Sequence, residues 1–197
     1  MEILLIRHGK TPGNRQRRYV GRTDEGLSEE GIFQLRQRTY PPCDFLVSSP
    51  MRRCLETAEV LYGGQQVHIC PGLEEMDFGE FEYKNYEELK DSPAYQRWID
   101  GGGREAMPGG ESREVFSRRC VTAFAKMVDD LLTRQGIRRA AAVVHGGTIM
   151  AVMEAFGSPR REYFQWQLAN GQALALRLEE AAWRRGEKIL KWADTIR

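Results

Sequence analysis

The chain has 197 residues, 41% apolar and 29% charged, with 29 basic side chains against 28 acidic ones and a net charge of +1. That length suits one domain with a substantial core, and so even a balance gives no global attraction for nucleic acid or an anionic membrane. No apolar run approaches membrane-spanning length, no signal-peptide pattern precedes the first strand, and Cys43, Cys54, Cys70 and Cys120 are too widely spaced for a zinc or redox pair, so the expectation is a cytoplasmic protein with reduced thiols and no metal.

The apolar run 3–6 stops at Arg7-His8-Gly9. This predicts a buried strand whose C-terminal end presents a cation and an imidazole. Open parallel sheets bind ligands at that end. Arg7 offers a planar fork suited to phosphate or carboxylate. His8 has the chemistry of a base, an acid, a nucleophile or a metal ligand. Residues 11–24 form a polar loop whose Arg15, Arg17, Arg18 and Arg22 face either the site or water. Ser28 reads as the N-cap of a helix with Glu29 and Glu30 at its positive end. That helix is expected to run to about Thr39, where Pro41-Pro42 forbids continuation. Residues 45–48 read as a strand. Ser49-Pro50 then opens a helix over 51–61, with one of Arg52 and Arg53 turned inward and the other toward water.

A third strand follows at 66–70, with His68 an ordinary strand residue. Residues 73–82 mix acids with Leu, Met and Phe. A partly buried carboxylate there has a raised pKa suited to a general acid, and the residues alone do not choose among Glu74, Glu75 and Asp77. Short helices are expected between 83 and 100, and Gly101-Gly102-Gly103 and Pro108-Gly109-Gly110 bracket a segment with the character of a lid. Ser112 caps a helix whose Phe116, Cys120, Ala123, Phe124, Met127, Val128 and Leu131 recur at spacings of three and four, a core stripe. Residues 140–144 are again an apolar strand, and it ends on His145-Gly146-Gly147. Two of only three histidines thus share one unusual context, a strand end followed by Gly, which points to a functional pair rather than two turn residues. A helix from Thr148 to about Phe156, a helical piece opened by Pro159, a strand at 173–178 and a tail, 188–192, pairing with it complete the chain. The alternation predicts an α/β fold, a three-layer α/β/α sandwich on a mostly parallel sheet. It is read as one domain over residues 1–197, with a lid-like insertion at about 83–111.

Arg7-His8-Gly9-Lys10-Thr11-Pro12-Gly13-Asn14 fits R-H-G-x-T-x-x-N. Leu27-Ser28 with Gly31 and Gln34, then Ser48 to Ala58 as S-S-x-x-x-R-[AC]-x-x-T-A, then Leu73 to Phe81 as L-x-E-x-x-[FY]-G-x-[FWL], then Pro108-Gly109-Gly110-Glu111-Ser112 and Val144-His145-Gly146-Gly147 follow in order. Together they resemble the histidine phosphatase superfamily, the group of cofactor-dependent phosphoglycerate mutases and related acid phosphatases. The resemblance implies that His8 is a nucleophile forming a phosphohistidine. It implies that Arg7, Arg53, His145 and Gly146 hold the phosphate, with Asn14 as a further contact. Glu75 falls on the family's acid, with Asp77 as the fallback, and no cofactor or metal is implied. Phosphoryl transfer needs little beyond in-line positioning and neutralisation of the phosphoryl oxygens, which two arginines and a second imidazole supply.

Three readings follow: a phosphomonoesterase acting on a small phosphorylated metabolite, a phosphoglycerate mutase, or a non-catalytic phosphate-binding protein. The mutases of the family carry an Arg-rich run after the acid. Here residues 83–107 hold only the scattered cations Lys84, Lys90, Arg97 and Arg104, which favours hydrolysis. Size and motifs look most like the branch of α-ribazole phosphatase and small broad-specificity bacterial phosphatases, so α-ribazole 5'-phosphate is one expected substrate. The departure is Glu82-Tyr83 where that branch often has Glu-Gly, a bulky residue expected to reshape the pocket mouth. The aromatics Tyr83, Tyr86, Tyr95 and Trp98 either stack on a substrate ring or form a small satellite core. The sequence does not reveal an oligomeric state.

Overall fold

Alternate residues of the first strand serve opposite layers, and this division organises the molecule. In the computed structural model, which describes Met1–Arg197, strand β1 (Glu2–Arg7) buries four residues in succession. Ile3 and Leu5 join one apolar cluster, whereas Leu4 and Ile6 join another. A continuous apolar run is what a strand covered on both faces requires. The helices in chain order are α1 (Pro12–Arg15), α2 (Glu29–Arg36), α3 (Arg52–Tyr62), α4 (Tyr86–Leu89), α5 (Pro93–Asp100), α6 (Arg113–Leu131), α7 (Gly146–Phe156) and α8 (Glu180–Arg184). Phe124, Val128, Ile149, Val152 and Trp183 from α6, α7 and α8 cover the first face. Cys54 and Ala58 of α3 cover the second, with α2 packed against α3.

The remaining strands are β2 (Phe45–Ser48), β3 (Val67–Ile69), β4 (Arg139–Val144), β5 (Gly157–Ser158), β6 (Ala173–Leu178) and β7 (Leu190–Ile196). Together with β1 they form one sheet in the order β3-β2-β4-β1-β6-β7-β5. The pairs β1–β4, β2–β4, β2–β3 and β5–β7 are parallel, while β1–β6 and β6–β7 are antiparallel. The sheet is therefore mostly parallel, as expected, and β1 and β4 lie side by side at its centre. Their registered ends, Arg7 opposite Val144, bring His8 and His145 to the same edge.

Four elements differ from expectation. Helix α2 stops at Arg36, short of Thr39, and Arg38 instead donates to the carbonyl of Asn170 at 2.9 Å. Helix α7 starts at Gly146, so His145 is its N-cap and the site gains a helix N-terminus. The piece after Pro159 is a 3-10 turn over Tyr163–Trp166, and β7 runs on to Ile196. Residues 83–111 stand on a third apolar cluster, in which Leu89, Tyr95 and Met107 pack with Phe81, Phe116 and Tyr163. No helix is long and apolar enough to cross a membrane, and all four cysteines are free thiols.

Candidate active site

The ordered motifs turn out to be the two sides of a few contacts. The Gly9 amide donates to Thr57 Oγ1 at 2.9 Å, and Thr57 donates to the Arg53 carbonyl at 2.7 Å, so the loop after β1 and the first turns of α3 are one unit. Ser28 Oγ accepts from the Gly31 amide at 3.1 Å and donates to the Lys10 carbonyl at 3.0 Å. Gly31 is required by approach: a Cβ there would lie 2.1 Å from the Lys10 oxygen, so a larger residue would push α2 off the loop it supports.

His8 is 4% exposed. Its Nδ1 lies 2.7 Å from the Gly9 carbonyl, which can only accept, so Nδ1 carries the proton and the Nε2 lone pair is free. Burial, then the charges of Arg53 and Arg7, push its pKa well below the usual histidine range, so the ring is neutral. His145 is fully buried, with its ring centroid 5.3 Å from that of His8. Arg53 Nε donates to His145 Nδ1 at 3.2 Å, which forces the opposite tautomer: Nε2 carries the proton and donates to Ser49 Oγ at 2.8 Å. Burial, then Arg53 and His8, push the His145 pKa down as well. Cys54 Sγ lies 3.5 Å from His145 Nε2, and burial pushes its thiol pKa up, so it remains a neutral neighbour.

Of the two arginines opening α3, Arg53 turns inward and is fully buried. It donates to the carbonyls of Thr23 at 2.8 Å and Gly21 at 2.7 Å and has no acidic partner. Arg52 is exposed and pairs with Glu56 at 2.6 Å. Arg7 donates to the Leu168 carbonyl, while its buried Nε reaches no protein acceptor. Burial lowers the Arg7 pKa and the charge of Glu75 raises it.

The structure separates the three candidate acids. Glu75 Oε1 accepts from the Met76 amide at 3.0 Å, and Oε2 accepts from the Gly147 amide in the first turn of α7 at 3.1 Å. Desolvation raises its pKa against the opposing pull of those amides and of Arg53 and Arg7. Asp77 is committed elsewhere, accepting from the Gly79 amide at 3.0 Å and pairing with Arg22 at 3.2 Å. Glu74 offers its backbone carbonyl to Arg119 at 3.1 Å and to Thr148 at 3.4 Å. Only Glu75 of the three lines the cavity, whose volume is about 490 Å³. Arg7, Asn14 and Gly146 share that wall, whereas His8, His145 and Arg53 are buried and not part of it. No group of three His, Cys, Asp or Glu side chains converges as metal ligands would.

Of the four basic loop residues, Arg17 and Arg18 line the cavity. Arg15 pairs with Glu30 at 3.3 Å, and Arg22 with Asp77. Arg18 also pairs with Glu88 at 2.7 Å. The aromatics of residues 83–111 divide as well. Tyr95 is core, with its hydroxyl 2.8 Å from that of Tyr19. Trp98 lines the cavity, and Tyr86 is exposed. Tyr83 is not part of the cavity wall. It donates to Glu25 at 3.0 Å, lies under the Arg18 guanidinium and gives its amide to the Tyr19 carbonyl at 2.7 Å, so it meets the pocket through Arg18 and Tyr19. Sequence reasoning misses Asn170. Its Nδ2 donates to Asn14 Oδ1 at 2.9 Å and to the His8 carbonyl at 3.2 Å, which engages the oxygen of Asn14, a cavity-wall residue, and leaves its amide nitrogen available as a donor. The one signal is Asn170-Gly171, which in the sequence marks only the start of a strand; the Gly171 amide also binds the Arg7 and His8 carbonyls.

Comparison with known proteins identifies the family. The profile of the histidine phosphatase superfamily (branch 1) matches residues 3–194. The chain is 31% identical over 137 residues to the adenosylcobalamin/alpha-ribazole phosphatase of Salmonella typhimurium, covering 66% of this chain and 67% of that one. The alpha-ribazole phosphatase of Shigella flexneri superposes with a TM-score of 0.78 at 25% identity over 98% of this chain and 95% of its own. A phosphoglycerate mutase of Thermus thermophilus superposes with a TM-score of 0.71 at 27% identity, covering 100% and 99%.

Proposed function

Because the chain belongs to branch 1 of the histidine phosphatase superfamily and is a phosphomonoesterase of that family, we propose that it hydrolyses a small phosphorylated metabolite through a phosphohistidine on His8. The observation that carries this reading is the tautomer of His8: a neutral ring whose Nδ1 proton is tied to the Gly9 carbonyl and whose Nε2 lone pair is free. In the first step Nε2 attacks phosphorus, the N–P bond forms and the P–O bond of the ester breaks. Glu75, whose pKa burial raises, gives a proton to the leaving oxygen. In the second step water attacks phosphorus and Glu75 takes back a proton. The N–P bond then breaks, returning neutral His8 and releasing inorganic phosphate. Arg7, Arg53 and the Nε2–H of His145 neutralise the phosphoryl oxygens, His145 exchanging its bond to Ser49 for one to the substrate. The Asn14 amide and the Gly146 amide at the start of α7 complete the donor set.

We further propose that residues 1–197 act as one domain whose segment 83–111 is a lid that sets specificity, since that segment contributes Trp98 and Gly103 to the cavity wall. The free thiols fit a reducing compartment, the cytoplasm. The names of the relatives make α-ribazole 5'-phosphate the first metabolite to try. The test is phosphate release from a panel of monoesters in EDTA, with acid-quenched protein analysed for phosphate on His8. Metal-independent turnover, a phosphohistidine at residue 8 and loss of both in His8→Ala are expected. Full activity of His8→Ala would overturn the reading, and exchange between phosphoglycerates without net phosphate release would identify a mutase instead.

A further inference from the structure

The catalytic groups account for only part of the cavity. Its wall also carries three cations that the mechanism does not use; Arg18 is paired with Glu88, which leaves Arg17 and Arg113 beside the rings of Phe78, Trp98, Tyr163 and Phe164. Neither cation is engaged by an acid. Arg17 follows α1 and makes no ion pair. Arg113, half-buried in the first turn of α6, lies 5.1 Å from the centroid of the Tyr163 ring and 5.9 Å from that of Phe164. Glu154 shares two neighbouring grooves with Arg113 yet accepts from the Tyr163 amide at 3.2 Å rather than pairing with it. Glu114, next in sequence, is taken by Arg118. The one acid in the cavity wall is Glu75, held by two backbone amides.

A cation held against two aromatic rings keeps its charge and its donors, while its planar face is already desolvated. It is thus pre-organised for a planar anion approaching edge-on, at less entropic cost than a free surface arginine. A ligand that places its ester phosphate by Arg7 would extend along the aromatic wall, with Arg113 and Arg17 as the remaining unpaired charges around it. We propose that the preferred substrate is a phosphomonoester of a flat, aromatic leaving group that carries a second anionic group, and that Arg113, assisted by Arg17, receives that anion.

The inference rests on the phosphatase reading, and its test separates the two. Initial rates are compared for 4-carboxyphenyl phosphate and its neutral isostere 4-carbamoylphenyl phosphate, and for the longer pair with a two-carbon spacer before the carboxylate or amide. Within each pair the size and the leaving phenol are nearly matched, so the ratio of kcat/KM reports the second charge. In at least one pair the carboxylate should be favoured about tenfold, the factor a single charge-assisted hydrogen bond supplies. Raising the salt from 50 to 500 mM should reduce that ratio severalfold, because Arg17 is exposed and Arg113 only half-buried. Arg113→Gln should bring the ratio close to one, and Arg17→Gln, on an exposed turn and safe for folding, should lower it in part. Ratios at or below one in both pairs, or a preference that survives Arg113→Gln in folded protein, would overturn the inference while leaving the phosphatase reading intact. No hydrolysis of any of the four esters, with no phosphate on His8, would instead overturn the phosphatase reading.

Discussion

Replacing Gly147 with Ala tests the assignment of Glu75 without touching any proposed catalytic group. Gly147 has ordinary helical geometry in the first turn of α7, so Ala is conformationally permitted there and even gains helix propensity of up to about 1 kcal/mol. The obstacle is purely spatial: a Cβ at this position would lie 2.2 Å from Glu75 Oε1, where ordinary contact begins at 3.4 Å. The Phe116 ring, 3.1 Å from the same Cβ, is a second tight contact. Glu75 must therefore withdraw by about an ångström, giving up the Gly147 amide. That lost hydrogen bond costs about 1–3 kcal/mol of stability, partly offset by the gain in propensity. A displacement of about 1 Å in a catalytic group costs on the order of 100-fold in rate. Steady-state kcat on an alkyl phosphate should fall about 100-fold. The first-turnover burst with p-nitrophenyl phosphate, whose leaving oxygen needs little protonation, should change only a few-fold. In a Glu75→Ala background the Gly147→Ala substitution should cost nothing further. Additive losses in the double variant, or wild-type kcat on the alkyl ester, would refute the reasoning.

The pH profile follows from two opposed shifts. His8 reacts as the free base and its pKa is lowered, so activity persists well below pH 6.5; Glu75 must hold a proton and its pKa is raised, so activity falls as pH climbs through that raised value. For alkyl phosphates kcat/KM should peak on the acid side of neutrality, and Glu75→Gln should abolish the alkaline limb with a drop of about 100- to 10,000-fold. Thr57→Val leaves the buried Gly9 amide without its acceptor, so thermal denaturation should report a loss of about 1–3 kcal/mol, with a lower kcat because His8 adjoins that amide. Arg119→Met unties the carbonyls of Gly72, Glu74 and Glu75 and the carboxylate of Glu111. It should lower kcat on alkyl esters more than the burst with p-nitrophenyl phosphate, which a uniform loss of folded protein would not do.

Much of the fold is legible in the sequence because the central strands β1, β2, β4 and β6 are short and mostly apolar. The two strand-end histidines are legible because β1 and β4 are neighbours in the sheet, so two similar sequence contexts become one place. The choice among Glu74, Glu75 and Asp77 is not legible from the residues. Three acids within four positions differ only in what lies opposite them: Gly147 faces Glu75, Arg22 faces Asp77, and Glu74 contributes its carbonyl to Arg119. Those partners lie 45 to 72 positions away in the chain, beyond the reach of any local pattern. Asn170 escapes for the same reason, since an Asn-Gly pair is usual turn chemistry and only the approach of the β1 end makes it a support for Asn14. Tyr83 stands out as a bulky departure in the motif, yet it is not in the cavity wall and meets it through neighbours such as Arg18 and Tyr19.

The two histidines are alike in sequence and opposite in chemistry, and one arginine accounts for the difference. His8 donates its Nδ1–H to a carbonyl, which turns its lone pair outward. His145 accepts a hydrogen bond at Nδ1 from Arg53, which turns an N–H outward. A nucleophile needs the first arrangement and a phosphoryl-oxygen donor needs the second, so the pair divides the work before any substrate arrives. Arg53 can impose this because it is fully buried, fixed by the carbonyls of Thr23 and Gly21, and unpaired with any acid. Its charge adds to burial in disfavouring protonation of both rings, while burial moves the Glu75 pKa the opposite way. Pre-organisation here lies less in the positions of the two imidazoles than in which nitrogen of each carries hydrogen, and the loop over 20–23 that holds Arg53 belongs to the catalytic apparatus as fully as the histidines do.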